Sequence, residues 1–296
     1  MTPKMTIFGC GYSGKAIAAA AAGHFGAVAG TTRSAAKAEA LHNAGIDALI
    51  YGGGEPDEAL RKVLGETTHL VQSIAPGPDG DPLLNLGNER LKLLLPKLEW
   101  VGYLSTVGVY GDHDGEWVDE TSTCKPVSRR STERVEAEAG WQSFADVTGL
   151  PVAILRLSGI YGPGRNTFSN LANGTAKRVI KKDQMFNRIR VEDIGTAALF
   201  LAQRNERGVF NVTDDEPAPP QDVVTYAATL LGVEPPPEIS FETADMTPMA
   251  RSFYGENKKV SNAKIRALGF DFAYPDYRMS LENLWKCGNW RANAPE

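Results

Sequence analysis

The sequence has little that would let it cross a bilayer, coat a nucleic acid or cage a metal. No uninterrupted apolar run approaches the ~20 residues that span a membrane. Basic residues are not in excess: 31 Lys and Arg stand against 36 Asp and Glu, a net charge of −5. That balance disfavours a nucleic-acid partner, whose phosphates attract basic surfaces. Only three cysteines occur, Cys10, Cys124 and Cys287. They are too scattered for a ligand-spaced pair or a disulfide framework, so no metal site is expected and a reducing cytoplasm is the expected compartment. Residues 1–5 lead straight into an apolar strand, so no signal peptide is expected. Internal repeats and low-complexity segments are also missing.

What is present has the composition of a folded domain, 42% hydrophobic and 23% charged over 296 residues. The first half alternates short apolar runs with helical stretches. Met5–Phe8, Ala27–Thr31, Ala48–Tyr51, Leu70–Ser73, Val101–Leu104 and Val152–Leu155 have buried-strand length. Between them Ser13–Ala22, Ala35–Ala44, Glu58–Leu64, Pro82–Leu95 and Thr132–Val147 read as helices. Strand, helix, strand in repetition predicts right-handed crossovers and a doubly wound parallel sheet. Later, Val191–Gln203 reads as a helix, Gly208–Val212 as a strand and Pro220–Leu231 as a helix, with a loop-rich basic segment from Gly162 to Arg190. The expected organisation is a dinucleotide-binding core over 1–161. Residues 162–296 form mostly a small C-terminal substrate lobe, with 191–212 returning to complete the core.

The turn after the first strand places Gly9, Gly11 and Gly14 in the pattern G-x-G-x-x-G. These glycines suit a tight turn, a close backbone approach to a pyrophosphate and close helix–strand packing. The amides of Tyr12, Ser13 and Gly14 would then face phosphate at the helix start. The reading is a Rossmann fold of α/β class; the bland alternative is a glycine turn used for packing. The second strand ends in Thr32, Arg33 and Ser34, where an NAD enzyme usually carries an acid for the ribose 2′-hydroxyl. A guanidinium there suits a 2′-phosphate, so NADP is expected over NAD; a solvated strand-end arginine is the alternative. Ser73 and Ala75 end the fourth strand with small side chains that let a flat ligand approach, unless they form an ordinary turn. Cys10, inside the glycine loop, either fills a small site or is open to oxidation.

Four further segments carry a resemblance. Ser105–Gly111 reads S-T-V-G-V-Y-G, Arg156–Gly164 reads R-L-S-G-I-Y-G-P-G, Arg190–Ile194 reads R-V-E-D-I and Phe210–Thr213 reads F-N-V-T. In this order and spacing they resemble the extended short-chain dehydrogenases/reductases, the NAD-dependent epimerase/dehydratase superfamily. The resemblance implies a Rossmann core with a small C-terminal substrate lobe, Ser105 and Ser158 beside the cofactor, and Thr106 as the substrate-orienting hydroxyl. A backbone-capping role is the alternative for Thr106. The resemblance also implies a homodimer, since many relatives pair through two long helices.

One family feature is missing. The family's proton chemistry rests on Y-x-x-x-K, yet aligning Pro126, Ser128 and Glu138 puts Arg130 at the Tyr position and Arg134 at the Lys position. Arginine stays protonated and does not serve as a tuned acid or base. Arg134 could hold ribose hydroxyls and Arg130 an anionic substrate group; both could instead lie on an exposed helix face. Tyr254 and Lys258 match the spacing but lie far from the expected cleft. Tyr110 is the favoured proton donor, with Tyr161, Asp112, His113 and Glu120 as other candidates. Seven basic residues between Arg165 and Arg190, opposed only by Asp183, favour an anionic substrate if they line the cleft. Two functions follow: an NADP-dependent oxidoreductase or epimerase/dehydratase on a polar, sugar-nucleotide-like small molecule, or a non-catalytic NADP(H)-binding sensor.

Overall fold

The computed structural model describes residues 2–292; Met1 and residues 293–296, the ends of the two expected segments, lie outside them. A seven-stranded parallel sheet forms its centre. The strands are β1 (Lys4–Phe8), β2 (Ala27–Thr32), β3 (Asp47–Ile50), β4 (His69–Gln72), β5 (Trp100–Thr106), β6 (Val152–Leu157) and β7 (Gly208–Val212). Their spatial order is β7-β6-β5-β4-β1-β2-β3. All four residues of β4 and all six of β6 are buried. Such continuous burial marks strands covered on both faces. The chain leaves β1 toward β2 on one side and later returns to lay β4 on the other. That reversal creates the crevice where doubly wound sheets bind ligands, beyond the carboxyl ends of the strands.

The crossover helices include α1 (Tyr12–Ala21), α2 (Ala35–Asn43), α3 (Glu58–Leu64), α4 (Asn88–Leu94), α5 (Arg129–Thr148) and α6 (Val191–Gln203). Polar caps set several of their starts. Ser34 accepts from Lys37 N, Asp57 from Leu60 N and Ser128 from Ser131 N. Gly149, with φ 72°, ends α5 in the left-handed conformation. The expected helix over Pro82–Leu95 is broken: a 3-10 turn covers Leu84–Leu86, and Gly87 at φ 85° separates it from α4. The segment between Gly162 and Arg190 is less loop-like than expected. It holds a helix, Thr167–Ala172, and strands Arg178–Ile180 and Arg188–Arg190.

The chain packs as two compact units. The first comprises Met1–Val109, Pro126–Arg156 and Ile194–Phe210. Its core gathers Phe8, Leu70, Tyr103, Trp141 and Phe144 among others. Burying one such side chain stabilises by roughly 1.5–3 kcal/mol. Asp81 ties the segment after β4 into this core. Its carboxylate accepts from Gln72 Nε2 (3.0 Å), Leu83 N (2.9 Å) and Trp141 Nε1 (3.3 Å). Gly195 of α6 packs directly on α1: a Cβ there would stand 2.4 Å from Ala16 O.

The second unit comprises Tyr110–Lys125, Leu157–Asp193 and Asn211–Glu296. Short parallel strand pairs join Gly159–Tyr161 to Arg188–Arg190, Arg178–Ile180 to Glu238–Ser240, and Trp117–Val118 to Lys259–Val260. Helices Pro220–Leu231 and Tyr277–Lys286 pack through Val223, Ala227, Tyr277 and Leu281. Among the described residues, no helix is long and apolar enough to cross a membrane, and no cluster of His, Cys, Asp and Glu could hold a metal.

Candidate functional site

At the end of β1 each glycine of the loop has a distinct steric role. Gly9 has φ 79°, and a Cβ there would come within 2.9 Å of Ile74 Cγ1. Its amide donates to Thr31 Oγ1 at 3.0 Å. A Cβ on Gly14 would press on Gly9 O at 3.1 Å and Ile7 Cγ2 at 3.2 Å, so this glycine seats α1 on the sheet. Gly11 differs: a Cβ there would meet only Gly9 O, at 4.0 Å. The fold itself does not demand glycine at 11, and the space it leaves open faces the start of α1. That helix has no side-chain cap and no acid in its first turn. The amides of Tyr12, Ser13 and Gly14 therefore have no intrahelical acceptor, at the positive end of the helix dipole. These residues fit a dinucleotide's linked phosphates.

Cys10 is a packing residue. Its side chain is 5% exposed and fills the space that Gly30 leaves, where a Cβ would stand 2.8 Å from Cys10 Cβ. Burial pushes its thiol up to about 11, which leaves little thiolate.

The carboxyl end of β2 presents Arg33 to solvent, and among the described residues no carboxylate pairs with it. Thr32, half-buried, accepts from Tyr51 N through its carbonyl. Ser34 accepts from Lys37 N as the cap of α2, so its oxygen is engaged within the fold. After β4, Ser73 is half-buried, with its amide donating to Phe8 O at 2.9 Å, and Ala75 is exposed. Two edges of the crevice thus carry small or cationic groups.

At the end of β5 the structure separates residues that look alike in sequence. Ser105 is buried and donates to Glu138 Oε1 at 2.5 Å. Glu138 in turn holds Arg156 through three contacts, Nε to both carboxylate oxygens at 3.2 Å and Nη2 to Oε2 at 2.7 Å. Thr106 is half-buried, and its Oγ1 accepts from Gly108 N at 3.1 Å, which leaves its own proton available. Arg134 lies over the same strand end. Its Nη1 donates to Leu104 O and to Tyr103 Oη (3.3 Å), while Nε and Nη2 have no partner among the described residues. Arg130 is exposed at the first turn of α5. Ser131, one residue on, is buried, and its hydroxyl would stand 3.1 Å from a Cβ at Gly108.

In the second unit Tyr110 is fully buried, and its hydroxyl donates to Asn211 Oδ1 at 2.8 Å. That phenol holds the family's F-N-V strand in place rather than standing free as an acid. Its neighbours are equally engaged: His113 Nε2 contacts Tyr110 O (3.1 Å), Asp112 accepts from Asn257 N (2.7 Å) and Glu120 from Asn211 N (2.7 Å). The Tyr254–Lys258 pair is structural. Tyr254 packs on Phe186 and Phe241, and Lys258 donates to Gly111 O (2.8 Å) and Glu256 (2.6 Å). Ser158 is buried, with a hydroxyl lacking any hydrogen-bond partner.

The basic segment also divides. Lys177, Arg178 and Lys181 donate to the main-chain oxygens of Asp245, Pro236 and Tyr254. Arg190 is buried and bound to Glu192 and Ser280. Arg165 and Arg188 remain on the wall of a cavity. Sequence reasoning missed Glu138 as a buried anchor; its spacing behind Arg134 by one helical turn was the available signal. It also missed Asp214, 1% exposed, whose carboxyl burial holds well above the usual range.

A model of the NAD-dependent epimerase/dehydratase family matches residues 96–213. The chain is similar to the Escherichia coli K12 protein YeeZ, 29% identical over 285 residues, covering 92% of this chain and 97% of that one. A solved structure of a functionally unknown conserved protein from Silicibacter pomeroyi is 43% identical, with TM-score 0.86, covering 97% of this chain and 99% of its own. A Methylobacillus flagellatus structure, described as a provisional NAD-dependent epimerase/dehydratase, is 27% identical with TM-score 0.71, covering 97% and 99%. Taken with the seven-stranded sheet and the glycine turn at its switch point, these matches give residues 96–213 the signature of the NAD-dependent epimerase/dehydratase family, on a Rossmann-type fold shared with these relatives over nearly the whole chain.

Proposed function

We propose that this protein is an NADP(H)-dependent oxidoreductase of the epimerase/dehydratase type, acting on a polar, anionic small molecule. The observation that carries the reading is the uncapped start of α1 beneath Gly11, with the unpaired Arg33 at the neighbouring strand end. When bound, the dinucleotide would supply or accept hydride. The amides of Tyr12, Ser13 and Gly14 would hold its linked phosphates. Arg33 would grip the 2′-phosphate with Thr32 beside it. Ser73, Ala75 and Ser158 would flank the cofactor. Arg134, fixed by the Leu104 carbonyl, would direct Nε and Nη2 to ribose hydroxyls in the place of a lysine. Thr106 would donate its free proton to a substrate oxygen.

A second reading, a nucleotide-responsive binding protein, draws support from one observation: the Tyr110 phenol is enclosed and Arg130 stands where the family keeps its tyrosine. The test is a titration with NADPH and NADH, followed by a turnover screen over small carbonyl compounds and sugar nucleotides. Tight NADPH binding with turnover supports the enzyme; tight binding without turnover supports the second reading; absence of binding removes both. The reading includes a homodimer, to be checked by sedimentation, and a reducing cytoplasmic setting that suits three free cysteines.

A further inference from the structure

The second unit contains a cavity of about 400 Å³. Its lining includes Ile160, Phe186 and Val223 together with Asn187 and Arg188. Arg188 Nη1 donates to Phe186 O at 2.9 Å and to Ala218 O at 3.0 Å. Those two carbonyls fix the guanidinium plane. Among the described residues Nε and Nη2 have no partner, and no carboxylate comes within ion-pair distance. The carboxylate that does influence Arg188 is Asp214, buried, with neither oxygen hydrogen-bonded. Burial pushes that carboxyl up. The Tyr161 hydroxyl is buried beside Ser280.

A half-buried guanidinium with two unpartnered nitrogens on a cavity wall calls for an acceptor there. We propose that this cavity is a subsite for an oxyanion, carboxylate or phosphate, attached to a flat or branched apolar body. The fork of Arg188 takes the oxyanion bidentately, and the apolar side chains cover the body. This assignment rests on the reading that the second unit carries the substrate.

Isothermal titration of the full chain with cinnamate, phenyl phosphate and neutral cinnamamide tests it, with NADPH affinity measured in parallel. At least one acid is expected to bind about tenfold or more tighter than the amide, and the preferred acid identifies the oxyanion. Arg188→Gln should abolish that preference while NADPH affinity stays unchanged; Arg188→Lys should keep part of it. Should Arg188→Gln lose NADPH binding through misfolding, Val223→Trp decides: it should block all three probes and spare NADPH. Equal binding of acid and amide, no binding by either acid, or an unaltered preference in Arg188→Gln overturns the subsite. Intact NADPH binding in any of those cases sinks the subsite alone; loss of NADPH binding in the wild type sinks the functional reading beneath it.

Discussion

At the scale of single residues, similar side chains have been put to different uses by what surrounds them. Arg33 and Arg130 are both exposed, yet only Arg33 stands at a strand end beside the crevice. Arg33→Ala is expected to weaken NADPH binding by about 10–100-fold and leave NADH binding unchanged, as for loss of a charged bidentate contact. Fluorescence titration of both coenzymes checks this; an equal loss for both would count against a 2′-phosphate site. Glu138 holds Ser105 and Arg156 together inside the first unit. Glu138→Ala should cost about 3–5 kcal/mol of stability, because it leaves a buried guanidinium without its carboxylate. Chemical denaturation would show it, and a loss below about 1 kcal/mol would mean the pair is dispensable. The glycines were legible in sequence because their constraints are local. Tyr110 was misleading because its fate depends on Asn211, a partner distant in sequence.

Elements were read well where they are continuous and poorly where a single residue interrupts them. The inner strands β5 and β6 are runs of buried, mostly apolar residues, and such runs announce themselves. The helix expected over Pro82–Leu95 fails at Gly87, whose positive φ no helix accommodates. The charge of the basic segment was visible, but not that main-chain oxygens of the later chain would take up Lys177, Arg178 and Lys181. Under the proposed function, the end of β5 and the start of α5 carry the chemistry. Thr106→Ala should abolish turnover of any substrate found while sparing NADPH affinity, since its hydroxyl is the one at this strand end with a proton to give. Retained turnover in steady-state assays would remove it from the site. Ser128→Ala, by uncapping α5, should lower stability by about 1 kcal/mol, read from thermal or denaturant melts.

On the scale of the whole molecule, three buried carboxyls set the response to pH. Burial raises Asp81, Asp193 and Asp214 above the ordinary carboxylate range. Such a group binds its proton more tightly folded than unfolded. Its contribution to stability is complete below the unfolded pKa and is lost as pH rises through the folded one. Exposed carboxylates such as Glu55, Glu66 and Glu282 are shifted the other way by basic neighbours, but water screens those pairs. The melting temperature should therefore fall as pH rises above the ordinary carboxylate range, against an opposing gain from His69, whose pKa burial lowers, and Asp214→Asn should flatten the slope. A profile that rises there instead would show that the screened pairs and His69 dominate.

The packing of Gly195 on α1 also has a consequence for biosynthesis. The strand and helix that would grasp the coenzyme are translated first, but the helix that braces them from behind belongs to Ile194–Phe210. A nascent chain halted near Arg156 should thus leave the ribosome's exit tunnel with its glycine turn already made and no firm backing for it, unable to retain nucleotide until α6 has followed.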